Sequence, residues 1–168
     1  MSSQPESFLA AAANSPAPEN IRRTLEGGVA RARYSQYTEY FGNDPMPIWG
    51  ITDGKAENYA DKIHEGDILL FYTGDNDRTD DKRYTLMATV QHTEWNGDIA
   101  RAIWVDKDGN PGVDWPYIIY LTDLRQVSIS SRRLHDDLGY SPSHLQDFRR
   151  VRDERIRSHV AGTTRRAY

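Results

Sequence analysis

The sequence predicts an α+β fold, a small, twisted, mostly antiparallel β-barrel of about six strands, open or closed, flanked by short helices. Three observations predict it. The run Gly66-Asp67-Ile68-Leu69-Leu70-Phe71-Tyr72 reads as a buried strand. Arg83 to Gln91 follows with alternating, β-rich side chains, which predicts an antiparallel hairpin whose long charged tip runs from Asp75 to Lys82. Further β-rich runs recur at short intervals, separated by turn signals such as Asp108-Gly109-Asn110-Pro111-Gly112, and that spacing points to a small barrel. At 168 residues the chain suits one domain with a real core and is short for two.

The elements follow in order. Residues 1–7 are expected to form a flexible N-terminus. Phe8 to Ala13 reads as a short strand, with alanine's helix propensity as the competing influence, and Asn14-Ser15-Pro16-Ala17-Pro18 closes it. Pro18-Glu19 opens a short helix that ends at Gly27-Gly28 and puts Ile21 and Leu25 on one face. From Val29 to Pro47 the pattern is irregular, and Tyr34, Tyr37, Tyr40 and Phe41 read as a loop laying its aromatics on the core. Ala56 to Ile63 gives one or two helical turns before the strand ending at Tyr72. Beyond the hairpin, Ala100 to Val105, Trp115 to Leu121 and Arg125 to Ile129 read as three more strands. Ser131 to Gly139 is helix-like, and Ser141-Pro142-Ser143 reads as a cap ahead of His144 to Val151. The domain is therefore expected to span 8–151, with 152–168 an Arg-rich tail frayed beyond Val160.

Composition removes several kinds of chemistry. Without cysteine there are no disulfides, no thiolate catalysis and few ways to build structural zinc. No apolar stretch approaches the roughly 20 residues that span a bilayer, and Met1-Ser2-Ser3-Gln4-Pro5-Glu6 lacks a basic leader, so a cytoplasmic protein without membrane contact is expected. A mean hydropathy of -0.77 is low, and the 11% of aromatic residues must supply much of the buried surface. A formal charge of -4 argues against broad non-specific nucleic-acid binding, which depends on phosphate attraction. Any such contact has to be local.

No enzyme signature stands out. His64, His92, His135, His144 and His159 form no HExxH pair, and there is no GxGxxG, Walker loop or GxSxG elbow, so no catalytic residue, metal or cofactor is assigned. Asp80-Asp81-Lys82 has the carboxylates and lysine of a metal-dependent nuclease fragment, but a solvated hairpin tip accounts for it more simply. The tryptophans carry the stronger signal. Indole offers a flat, polarizable face and one N–H donor, which suits a planar ligand such as a base. Trp95 and Trp115 read as core. Trp49 differs, because Pro47 stiffens the approach to it and Gly50 lets something come close to the backbone. Trp104 ends an apolar strand just before a charged turn, which places its ring at the rim.

Taken together, the strand ending in Asn14, the Pro18-Glu19-Asn20-Ile21 segment, Trp49-Gly50-Ile51-Thr52, the strand from Gly66 to Tyr72, Ile103-Trp104, and Trp115 to Leu121 resemble the PUA-like superfamily. The likeness is to its EVE and YTH branches and to the amino-terminal domains of modification-dependent restriction systems, and it covers about Phe8 to Val151. It implies a non-catalytic domain that reads a modified, for instance methylated, base flipped into an aromatic cage. Trp49 and Trp104 would be the walls, Asn14 and Asn20 the polar readers, and Gly50 part of the base site. The restriction-like branch favours DNA over RNA as partner, with a separate nuclease or motor as effector. The segment from Arg31 to Pro47 is an insertion relative to the YTH pattern, and the third cage residue has no match. Arg31, Arg33, Arg101, Arg132 and Arg133 are candidates to hold phosphates, although a solubilising surface arginine is the default for each. The alternatives are a small ASCH-like hydrolase or nuclease using Asp80 and Lys82, and a protein-interaction module.

Overall fold

The structure is a computed structural model that describes residues 6–11, 22–51, 57–72, 83–104, 115–138 and 148–151. Six strands form one sheet: β1 (Ser7–Ala11), β2 (Ile48–Ile51), β3 (Ile68–Tyr72), β4 (Arg83–Trp95), β5 (Tyr117–Ser130) and β6 (Phe148–Val151), in the order β2-β5-β4-β3-β1-β6. Every pairing is antiparallel except β1 with β3. The register between β4 and β5 shifts three times, and β3 and β4 slip once between Phe71 and Tyr72. Such irregularities bend and twist a ladder. The sheet curls as a result, so that Trp49 on the edge strand β2 meets Phe71 of β3 across the interior, edge to face at 5.4 Å. This is the mostly antiparallel α+β half-barrel with few short helices that the sequence predicts.

Alternation along each strand divides the core. Phe8, Ala10, Ile51, Leu69, Phe71, Leu86, Ala88, Val90, Tyr117, Ile119 and Leu121 point into the curl. Their neighbours point outward into two clusters. One, around Ile48, Ile118 and Tyr120, lies beneath the 29–46 loop and helix α1 (Gly97–Ile103). The other, around Leu9, Leu70, Tyr84 and Ile129, takes Leu134 of helix α2 (Ser131–Leu138). Asp67 fastens the strand starts. Its buried carboxylate accepts the N–H groups of Glu6 at 2.9 Å and His64 at 2.8 Å, while its own carbonyl accepts from Val90 at 2.7 Å.

Four sequence expectations change. Ala100 to Val105 is not a strand, since α1 occupies Gly97–Ile103. Asn96 is extended, its Oδ1 accepts from Ile99 N at 3.2 Å, and Asp98 sits in the first turn, so capping and dipole favour a helix there. Ile99 and Ile103, four apart, then share the buried face. The two strands expected between Trp115 and Ile129 are one continuous β5, which turns a corner at Asp123 with φ at 57°. Phe148–Val151, expected to be helical, is β6 and covers the open edge of β1. The expected helix over 18–26 is described only from Arg22, as a π-helical turn Arg22–Glu26.

The 29–47 segment closes on itself. Val29 and Met46 exchange both backbone hydrogen bonds, at 2.7 and 2.9 Å, and Asp44 accepts from Arg31 N at 3.0 Å. Tyr34 and Met46 are buried against the outer face, and Tyr40 stacks on His92 at 4.2 Å. The loop therefore leaves β2 in register, with Pro47 O accepting from Leu121 N at 2.9 Å.

A core so rich in tyrosine has a consequence at high pH. Burial pushes the phenols of Tyr34, Tyr40, Tyr72, Tyr117 and Tyr120 above their ordinary value of 10.0, and the hydrogen bond from Tyr120 to Glu94 pushes that phenol further. The folded state thus holds these protons more tightly than the unfolded chain. Their contribution to stability is full below about pH 10 and is lost as the pH rises beyond it. Denaturation midpoints should be level with respect to these groups below that point and fall steeply above it. Phenolate absorbance should rise together with unfolding, and titration of all ten tyrosines near pH 10 in a folded protein would contradict this.

Candidate functional site

The aromatic residues inside the curl are placed by strand register. Trp49 stands opposite Ile119, and Ile51 opposite Tyr117, so Trp49, Ile51, Tyr117 and Ile119 share the inner face. Trp49 is half-buried, with Phe71 behind it. Residues 57–59 are helical and carry Tyr59, which meets Phe8 edge to face at 6.4 Å and has Lys62 Nζ 5.7 Å from its ring centre. Tyr117 donates its hydroxyl to Ala60 O at 3.0 Å, tying that turn to the sheet. Trp49 is therefore a partly accessible indole on a rigid aromatic wall. Neither Tyr59 nor Tyr117 was singled out from the sequence, since their place in the same inner cluster as Trp49 depends on pairing between segments far apart in the chain.

Trp104 lies elsewhere. It is 2% exposed and belongs to the outer cluster, where its Nε1 donates to Thr24 Oγ1 at 3.3 Å and its ring meets Trp115 edge to face at 6.2 Å. The rim position expected from the sequence is corrected. Because α1 replaces the expected strand, the chain leaves the helix at Trp104 and buries the ring against the outer face of the sheet. What approaches Gly50 closely is that ring, for a Cβ at Gly50 would lie 2.6 Å from Trp104 Cη2 and 3.0 Å from Trp115 Cβ. Gly50 faces outward while its neighbour Trp49 faces inward, so Trp49 and Trp104 stand on opposite sides of the sheet and do not wall one cage. Trp95, expected in the core, is instead 51% exposed at the end of β4.

Asn14, Asn20, Asp80 and Lys82 lie outside the described residues. The arginines do not form one patch. Arg31 is a strut of the 29–47 segment, its Nη2 donating to Gly42 O at 2.8 Å and its guanidinium 5.6 Å from the Phe41 ring centre. Arg101 pairs with Asp98 on α1, and the exposed Arg33 reaches Ala102 O at 3.5 Å. Arg133 is exposed on α2, beyond the opposite end of β5, and the side chain of Arg132 lies outside the described set. Among the described residues no group of three or more His, Asp or Glu side chains could hold a metal ion, and no helix is long and apolar enough to cross a membrane.

No family model and no curated protein matches the sequence. Solved structures do match the fold. The N-terminal domain of Thermococcus gammatolerans McrB bound to m5C DNA aligns with a TM-score of 0.70 at 18% identity, covering 96% of this chain and 98% of that one. The Mmi1 YTH domain aligns at 0.56 and 12% identity over 99% and 92% of the two chains. The Pho92 YTH domain in complex with m6A aligns at 0.54 and 14% identity over 96% and 87%. The alignments run nearly the full length of each chain, and the fold is the one these McrB N-terminal and YTH domains share.

Proposed function

We propose that this chain is a non-catalytic module that binds nucleic acid by taking a modified, flipped-out base against Trp49, with DNA favoured over RNA. The observation that carries the reading is the half-buried Trp49 on the inner aromatic wall of a fold shared with a domain bound to m5C DNA. DNA is favoured because that likeness, at 0.70, exceeds those to the two YTH domains. Asn14 and Asn20 are the proposed polar readers, at the two ends of the segment that follows β1. A nuclease or motor is the proposed effector that acts on what the module holds. For the hydrolase alternative, Asp80 and Lys82 have no structural observation behind them.

The energetics suit a reader. Taking a base out of a duplex costs a few kcal/mol, and stacking on an aromatic returns about 1–3 kcal/mol. Burying one methyl group adds only about 0.8 kcal/mol, so discrimination rests on a cavity that the unmodified base fills badly. The test is a binding panel with the full chain at low salt, using DNA and RNA oligonucleotides carrying 5-methylcytosine, 5-hydroxymethylcytosine or N6-methyladenine. The expected result is tighter binding of one modified DNA than of its unmodified control, accompanied by a change in indole emission. Equal affinity for modified and plain strands throughout the panel would overturn the reading.

A further inference from the structure

Trp95 stands where a core tryptophan would not. It ends β4 with 51% of its surface open, and its ring rests edge-on against Tyr117 at 5.1 Å. Pairing fixes its place: Ile51, Tyr117 and Trp95 oppose one another across β2, β5 and β4, and Trp49, Ile119 and Thr93 form the next row. Side chains two apart on a strand share a face, so Trp95 is on the same face as Trp49. With strands about 4.8 Å apart and a rise of about 3.4 Å per residue, their Cα atoms are separated by roughly 12 Å.

The residue that follows Trp95 is held firmly. Asn96 donates to Tyr37 O at 2.8 Å and also caps α1, so Tyr37, itself 39% exposed, is anchored beside the same residue. We propose that Trp95 is a second stacking platform, which takes an unpaired base flanking the one received at Trp49. The inference rests on the reader assignment and deepens it. A nucleic-acid base is favoured over an apolar protein side chain because the exposed ring shares a face with Trp49, two strands away on the same sheet.

The test uses the full chain and single-stranded DNA carrying one central 5-methylcytosine, its unmethylated control, and versions with an abasic position on either side. Trp95→Ala is expected to weaken methylated and unmethylated strands alike, by about 5- to 100-fold, with the ratio between them unchanged. Trp95→Phe should retain most of the affinity. An abasic flank should weaken binding by the parent protein and not by Trp95→Ala. Matching thermal melts confirm that the variants are folded. Parent-like affinity in Trp95→Ala overturns the platform even where the methyl preference holds. Loss of the methyl preference in the parent, with the Trp95 dependence kept, overturns the reader assignment alone. If the substitution abolishes self-association and leaves oligonucleotide affinity intact, the surface serves a second copy of the chain and the proposal falls.

Discussion

Replacing Trp104 by alanine is expected to cost about 3–5 kcal/mol of stability, the range for truncating a large aromatic in a packed core. The ring is 2% exposed, holds a hydrogen bond to Thr24 and packs on Trp115 and the Gly50 backbone, so its loss opens a cavity between β2 and α1. Gly50→Ala alone should also destabilise, by about 1–3 kcal/mol, because its Cβ would lie 2.6 Å from Trp104 Cη2. The two changes should not add. In the Trp104→Ala background the new methyl enters vacated space, and the double variant should be more stable than the sum of the two costs implies. Urea midpoints for the four proteins measure this. Parent-like stability of Trp104→Ala together with lost ligand binding would instead return Trp104 to a binding role.

Trp49→Ala should act on binding. Removing the stacking face is expected to weaken a modified oligonucleotide by about 5- to 150-fold, corresponding to 1–3 kcal/mol, and to abolish the preference over the unmodified control. Trp49 also supports Phe71, so some stability is lost as well. Trp49→Phe separates the two effects by keeping an aromatic face, and it should recover part of the affinity. An alanine variant that melts like the parent and keeps the modified-base preference would show that the base is received elsewhere.

The barrel was legible where local pattern and burial agree. Ile68 to Tyr72 and Arg83 to Gln91 are strand and hairpin in the sequence and in the structure, since alternation and β-branching need no distant information. The apolar run Ala100 to Val105 misled because a short buried helix and a short buried strand look alike in hydropathy. The signal that separates them, Asn96 followed by Asp98 with Ile99 and Ile103 four apart, lies in the capping rather than in the run. Phe148–Val151 was illegible as a strand because it is defined by pairing with β1, about 140 residues earlier. Trp49 could be singled out from Pro47 and Gly50, whereas the side of the sheet taken by Trp104 depends on the helix that delivers it. The exposure of Trp95 follows from where β4 stops.

The parallel pairing of β1 with β3 divides the chain by task. Parallel neighbours cannot be joined by a tight turn, so a long stretch of chain, β2 included, separates β1 from β3. That one excursion contains Asn14, Asn20, the self-closed loop and Trp49, and it enters the sheet through the four residues of β2. The ladders joining β1, β3, β4 and β5 are set by hydrogen bonds outside it. Substitutions can therefore accumulate along a single contiguous stretch and retune what the domain holds, while segments it does not include keep the barrel in register.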